Sequence, residues 1–195
     1  MKIFKGIAGA PGIVSAKVLY FEKNKKENLD LTIEEVQQAA LKRVRALREK
    51  AHSDLGAEKA KIFSAYEMLL EDPMLIDPII AAVKSGEDKK SAIERETEAK
   101  AAILASKNNE YMRQRADDIR YIGKLRCDVL DGADDEFVFP EGDGKYIIAA
   151  RELTPVDTMS FDKSRLAVFA TELGCAASHT VILEKSLGIP AIVGV

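Results

Sequence analysis

The sequence predicts an α/β protein in two parts. A discontinuous α/β subdomain uses residues 1–22 and 134–195, and an all-α helical-bundle subdomain, 30–132, is inserted into it. Three observations predict this. β-Branched and aromatic residues crowd the first twenty positions, and short strand-like runs return only after Gly132. Between them the apolar residues recur at helical spacing. Two short strands are not stable as an isolated hairpin, so the N-terminal pair needs a sheet whose other strands lie after residue 135.

The elements run in order. Ile3 to Ala8 reads as a strand, Gly9-Ala10-Pro11-Gly12 as a turn, and Ile13 to Phe21 as a second strand. A polar linker, Glu22 to Asp30, comes next. Thr32 with Glu35 fits a capping box. Val36, Ala40, Val44, Leu47, Ala51 and Leu55 then mark one face of a long helix, which Gly56 ends. Ile62, Phe63, Tyr66, Leu69 and Leu70 make a second helical stripe. Pro73 and Pro78 punctuate the next segment, where Ile79, Ile80 and Val83 carry a short helix to Gly86. Ser91 to Lys107 is helical, and Ile119, Ile122, Leu125 and Val129 mark a last long helix stopped near Gly132. Short loops between these helices predict an antiparallel bundle.

After Gly132, Glu136 to Phe139 and Tyr146 to Ala150 read as strands. Thr154 is an N-cap signal, with Pro155 at the first helical position and Asp157 in the first turn. Leu166 to Ala170 is an apolar strand, His179 to Leu187 a helix capped by Gly188, and Ile189 to Val193 a final strand. The chain stops after Ile192-Val193-Gly194-Val195 with no closing element, the pattern of a fragment.

Composition narrows the function. A chain of 195 residues, 47% hydrophobic and 31% charged, has the make-up of a soluble globular protein. Its net charge of −3, from 29 basic and 32 acidic residues, makes no electrostatic case for nucleic acid or an anionic membrane. No apolar run approaches the roughly 20 residues of a membrane helix. Gly6, Gly9, Pro11 and Gly12 interrupt any signal-peptide core. Cys127 and Cys175 form no disulfide framework and have no metal-ligand spacing, which fits a reducing, cytoplasmic setting.

One stretch carries candidate chemistry: GCAASHTVILEKSLGIPAIVGV, Gly174 to Val195. Ser178 is an N-cap signal, which puts His179 in the first turn of a helix. Free N–H groups and the positive dipole end there favour an anion such as phosphate, and the same field favours neutral, nucleophilic imidazole. A phosphoryl-accepting histidine wants that geometry. A surface or hydrogen-bonded histidine at a helix start is the commoner arrangement, and both readings stand at this point. No Gly-x-Ser-x-Gly elbow supports a serine hydrolase. Cys175 can pair with His179 or be a buried structural thiol. Glu67, Glu71 and Asp72 read as an acidic docking edge or a solvated helix end. Tyr66, Met68 and Leu69 read as an exposed patch or as core. Arg113, Arg115, Arg120 and His52 read by default as surface groups.

Five runs together resemble the N-terminal part of enzyme I of the bacterial phosphoenolpyruvate:sugar phosphotransferase system. They are GIAGAPGI, EKAKIFSAYEMLLEDPML, NNEYMRQRADDIRYIGKL, ELTPVDT and SHTVILEKSLGIPAIVGV, in register over the whole chain. The resemblance implies that the α/β part is a phosphohistidine (swivelling) subdomain and the bundle an HPr-binding subdomain. It implies phosphoryl transfer from phosphoenolpyruvate to a histidine Nε2, here His179, and then to the carrier HPr. Ser178 belongs to the same motif, and Thr158 matches a threonine placed to bond the other ring nitrogen. The docking positions it implies are Glu58, Ile62, Tyr66, Met68, Leu69, Asp72, Tyr111, Arg115, Asp118 and Ile119. An acidic edge around an apolar patch suits a basic carrier. The pyruvate phosphate dikinase type of swivelling domain shares the histidine motif but not the MLLED and ADDIR runs.

Two departures stand out. The family reads Gly-Gly-Arg-Thr-Ser-His where this chain has Gly174-Cys175-Ala176-Ala177-Ser178-His179, and Glu184-Lys185 replaces the usual Ala-Arg. A degenerate, non-catalytic carrier-binding module is therefore the alternative reading. The family's C-terminal domain, which binds phosphoenolpyruvate and Mg²⁺, is absent from this sequence. No cofactor or metal is expected in the segment itself, and phosphoenolpyruvate alone is not expected to phosphorylate it.

Overall fold

The computed structural model describes residues 5–23, 30–133, 137–174 and 179–195. The chain divides into two compact units, Lys25–Ala133 and Met1–Asn24 with Asp134–Val195.

Among the described residues the first unit is five helices. α1, Ile33–Leu55, opens on a complete capping box: Thr32 Oγ1 accepts from Glu35 N at 3.2 Å and Glu35 Oε2 accepts from Thr32 N at 2.8 Å. Gly56, at φ +85°, separates it from α2, Ala57–Glu71. α3, Pro73–Lys84, begins where Asp72 Oδ1 accepts from Met74 N at 2.9 Å. The two prolines do not break this segment. Pro73 occupies the first helical position, where a missing N–H is harmless, and Pro78 lies inside the helix, removing one bond. α4, Lys89–Ala105, is capped by Asp88. α5, Glu110–Leu130, starts at an Asn109 cap, well before the apolar stripe that signalled it in the sequence. α1 packs on α2, and α4 on α5. Ala40, Val44, Phe63, Leu70, Ile79, Ile93, Ile122 and Leu125 fill the core.

Among the described residues the second unit is one five-stranded sheet with two α-helices and a short 3-10 turn, Lys163–Arg165. Its strands are β1 (Ile7–Ala10), β2 (Lys17–Tyr20), β3 (Tyr146–Ala150), β4 (Leu166–Thr171) and β5 (Ala191–Val193), in the order β1-β5-β4-β3-β2. β2 through β5 are parallel neighbours, and β1 closes the edge antiparallel to β5. The helices are α6, Pro155–Ser160, and α7, His179–Leu187, and α7 packs on α6, β1 and β5.

The sequence reading misplaced the first strand. Gly9 and Ala10 belong to β1, and the two N-terminal strands lie at opposite sheet edges. The glycines there serve close approach rather than a turn. A Cβ on Gly9 would lie 3.0 Å from Val181 Cγ1, and one on Gly12 would lie 2.3 Å from Pro190 Cγ. Of the strand expected over Glu136 to Phe139, residue 136 lies outside the described residues and 137–139 form none. Phe137 and Phe139 instead join Phe21 and Phe161 in an edge-to-face aromatic cluster on the core. One sheet face is buried through Tyr146, Ile148, Ala150, Leu166, Phe169 and Ala191.

Candidate functional site

In the α/β unit, α7 begins at His179. Ser178 and the side chain of His179 lie outside the described residues, as does the run 175–177. Gly174, just upstream, holds φ +120°, a left-handed angle that favours glycine. α6, packed on α7, is fixed by a second capping box. Thr154 N and Oγ1 both donate to Asp157 Oδ2, at 2.9 and 2.6 Å, and Asp157 Oδ1 pairs with Lys23 Nζ at 3.0 Å. Thr158 is fully buried on this helix, and its hydroxyl donates to Thr154 O at 3.1 Å. With its proton so engaged, the Thr158 oxygen is left as an acceptor.

The same helix that begins at His179 holds a group that sequence reasoning noted but did not place. Glu184 is 1% exposed, and its Oε2 has no hydrogen-bond partner. Burial pushes its carboxyl up to about 8.

In the helical unit, the positions expected from the sequence to dock a carrier divide. Glu58, Met68 and Tyr111 are exposed, Met68 at 74% and Tyr111 at 56%. Ile62, Leu69, Asp72 and Arg115 are half-buried. Tyr66 at 2%, Asp118 at 3% and Ile119 at 7% are buried, so these three do not line a surface as the sequence reading expected. Each faces a neighbouring helix instead. Leu69 and Ile119 share a cluster with Leu75, Ala101 and Ala116. Burial and the nearby Asp118 carboxylate hold the Tyr66 hydroxyl well above the usual phenol range. Asp118 Oδ2 lies 3.3 Å from Arg115 Nη1, and Arg115 Nε donates to the Tyr111 hydroxyl at 3.1 Å. The guanidinium also lies 5.1 Å from the Tyr111 ring centroid. A polar line thus runs from buried Tyr66 through Asp118 and Arg115 to exposed Tyr111.

The acidic edge is largely paired within the unit. Glu67 and Glu71 meet Arg45 at 3.5 and 2.9 Å, and Glu67 also meets Arg48 at 2.8 Å. Glu58 pairs with Lys61 at 2.5 Å, which holds its carboxyl below the ordinary range. His52 is exposed. Cys127 is buried, and burial pushes its thiol up to about 12, so it is inert.

Comparison with known proteins bears on both units. Residues 5–115 match the family profile described as PEP-utilising enzyme, N-terminal, and residues 142–195 match PEP-utilising enzyme, mobile domain. A phosphoenolpyruvate-protein phosphotransferase of Listeria monocytogenes is 33% identical over 99% of this chain and 36% of its own length. One of Staphylococcus aureus is 36% identical, again over 99% of this chain and 36% of its own length. The chain therefore spans about a third of the length of these relatives. The NMR solution structure of an Enzyme I protein superposes with a TM-score of 0.71 at 31% identity, covering 98% of this chain and 82% of that one. An N-terminal domain of Enzyme 1 – Nitrogen gives 0.63 at 25% identity, covering 97% and 82%. With a profile match over more than half of its residues, the chain belongs to the PEP-utilising enzymes and spans their N-terminal and mobile domains.

Proposed function

We propose that this chain is the phosphoryl-carrying segment of a phosphoenolpyruvate-protein phosphotransferase. His179 takes a phosphoryl group that originates on phosphoenolpyruvate and passes it to HPr in the cytoplasm. The observation that carries the reading is the packing of α6, with buried Thr158, against the helix that begins at His179. An imidazole N–H donating to the Thr158 oxygen leaves the second ring nitrogen unprotonated and nucleophilic. A nitrogen–phosphorus bond forms there as the donor's bond to phosphorus breaks, and the proton stays on the first nitrogen. The N–H groups opening α7 favour the charge that arrives.

Phosphoenolpyruvate and Mg²⁺ belong, on this reading, to the remaining length seen in the relatives. Among the described residues no cluster of three or more His, Cys, Asp or Glu could hold a metal ion. No described helix is long and apolar enough to cross a membrane. HPr docks on the surface around Glu58, Ile62, Met68, Leu69, Asp72, Tyr111 and Arg115. Tyr66, Asp118 and Ile119 support that surface from beneath.

Weighing the intact chain after mixing it with phosphorylated HPr tests the reading. The expected result is one acid-labile phosphoryl adduct on the wild type and none on His179→Ala. An equal adduct on both proteins would remove His179 as acceptor. HPr binding without any adduct would make the segment a carrier-binding module with no phosphoryl chemistry.

A further inference from the structure

α2 ends in a way that leaves one carbonyl to be satisfied by side chains. Leu70 O, on the next-to-last residue of α2, is one of the last four carbonyls, which have no partner within the helix; a continued helix would bring it the N–H four residues on. That N–H belongs to Met74, which donates to Asp72 Oδ1. Pro73 has no N–H, and Leu75 and Ile76 donate to Asp72 O. Two side chains reach in from other helices. Gln37 Nε2 of α1 donates to Leu70 O, and Arg126 Nη2 of α5 donates to the same oxygen at 3.3 Å. Arg126 Nε also donates to Gln37 Oε1 at 3.0 Å, which fixes both side chains on one acceptor. All three residues are buried, Arg126 among the most completely of any large side chain.

A buried guanidinium is an unusual choice for this task. Its hydrogen-bond partners are an amide oxygen and a carbonyl, not a carboxylate. Desolvation lowers its pKa to about 10, which leaves it charged at neutral pH. The negative end of the α2 dipole faces it and offsets part of that penalty. With no charged partner among the described residues, the rest of the guanidinium's desolvation is offset only by two neutral acceptors, so its net contribution to stability is small. What the pair fixes is position. Leu70 sits between Met68 and Leu69 on one side and Glu71 and Asp72 on the other, the stretch where α2 turns into α3.

We propose that Arg126, with Gln37, is a positioning residue for partner docking, holding the last turn of α2 so that Met68, Leu69 and Asp72 meet the carrier in register. The inference rests on the docking reading above. No sequence signal singled out either residue, because each sits beside the apolar stripe of a long helix, where polar residues are usually solvated.

The test uses the whole chain with phosphorylated HPr, measuring KM, the rate at saturating carrier, and Tm together. Arg126→Met is expected to raise KM about tenfold and keep the saturating rate, with the change in Tm set by a guanidinium desolvation removed against a buried Gln37 Oε1 left unpaired. Arg126→Lys, which keeps the charge but lacks the planar fork that places Nε and Nη2 on the two acceptors, is expected to fall between. Gln37→Met, which leaves the Arg126 donor in place, is expected to raise KM about threefold and covers the case in which Arg126→Met fails to fold. Folded variants with wild-type KM would overturn the proposal, as would KM and saturating rate changing together with Tm. Leu69→Asp run alongside separates the two ideas. If it too leaves KM unchanged, the docking surface itself is wrong. If it raises KM while the Arg126 and Gln37 variants do not, only the positioning role is lost.

Discussion

Glu184 sits on the helix that begins at His179, with its Oε2 unpartnered in the interior. The elements packed on α7 do nothing to neutralise it. β1 and β5 carry no ionisable side chain, and Asp157, the one such group on α6, is already paired with Lys23. A carboxyl held near 8 keeps its proton in the folded state where the unfolded chain, near 4.5, has released it. The folded state is therefore favoured most below about pH 4.5, and that advantage is lost as pH rises toward 8. The expected slope is about 1.4 kcal/mol per pH unit in that window, the linkage of one proton. Amide exchange in β4 and β5, corrected for intrinsic rate, should show this loss in the wild type and a flat profile in Glu184→Ala. Equal slopes in both proteins would mean that Glu184 does not carry the effect. The residue was visible in the sequence as a departure from the family pattern, yet its burial was not. Nor was that of Tyr66 or Asp118, since a polar side chain next to an apolar stripe has the same spacing whether it turns inward or out.

At the scale of elements, the close packing of α4 on α5 depends on a single hydrogen atom. A Cβ on Gly123 would lie 2.4 Å from Thr97 Cγ2 and 2.6 Å from its Oγ1. Gly123→Ala should therefore destabilise the helical unit by about 1–3 kcal/mol despite the better helix propensity of alanine, as overpacking does. Urea denaturation checks this. Thr97→Ala in the same chain should restore part of the loss, because it removes the two nearest atoms but leaves Cβ at 2.8 Å. No rescue would show that the strain lies elsewhere. The helices themselves were legible because their signals are local. The Thr32–Glu35 and Thr154–Asp157 boxes and the 3.6-residue stripe act within a few residues of each other. The strands were less so. β1 and β5 are only four and three residues long, and what defines them is a distant neighbour: Gly12 is small because Pro190 lies against it. The start of α5 was missed for a different reason, since an asparagine cap well ahead of the first buried residue leaves no apolar period to read.

For the whole molecule, the two units divide the labour on the proposed reading: one holds the phosphoryl acceptor and the other recognises the carrier. A lesion in the second should then spare the chemistry of the first. Leu69→Asp places a charge beside the Leu75, Ala101, Ala116 and Ile119 cluster. It is expected to raise KM for phosphorylated HPr by more than about tenfold while the single-turnover rate at saturation changes little. An unchanged KM in rapid-quench kinetics would remove Leu69 from the docking surface. The two-part fold class and the candidate acceptor could be read from the sequence, the first from a change of period and the second from a motif. Which docking positions face outward could not, because that depends on how α2 and α5 rotate against each other. The strand order adds one consequence for how the molecule is made. Among the described residues Ile7 pairs with Val193, so β1 meets its partner β5 only after β2, β3 and β4 have left the ribosome. The helices of Lys25–Ala133 pack among themselves and can fold as they emerge, while β1 waits as an open edge until β5 has been made.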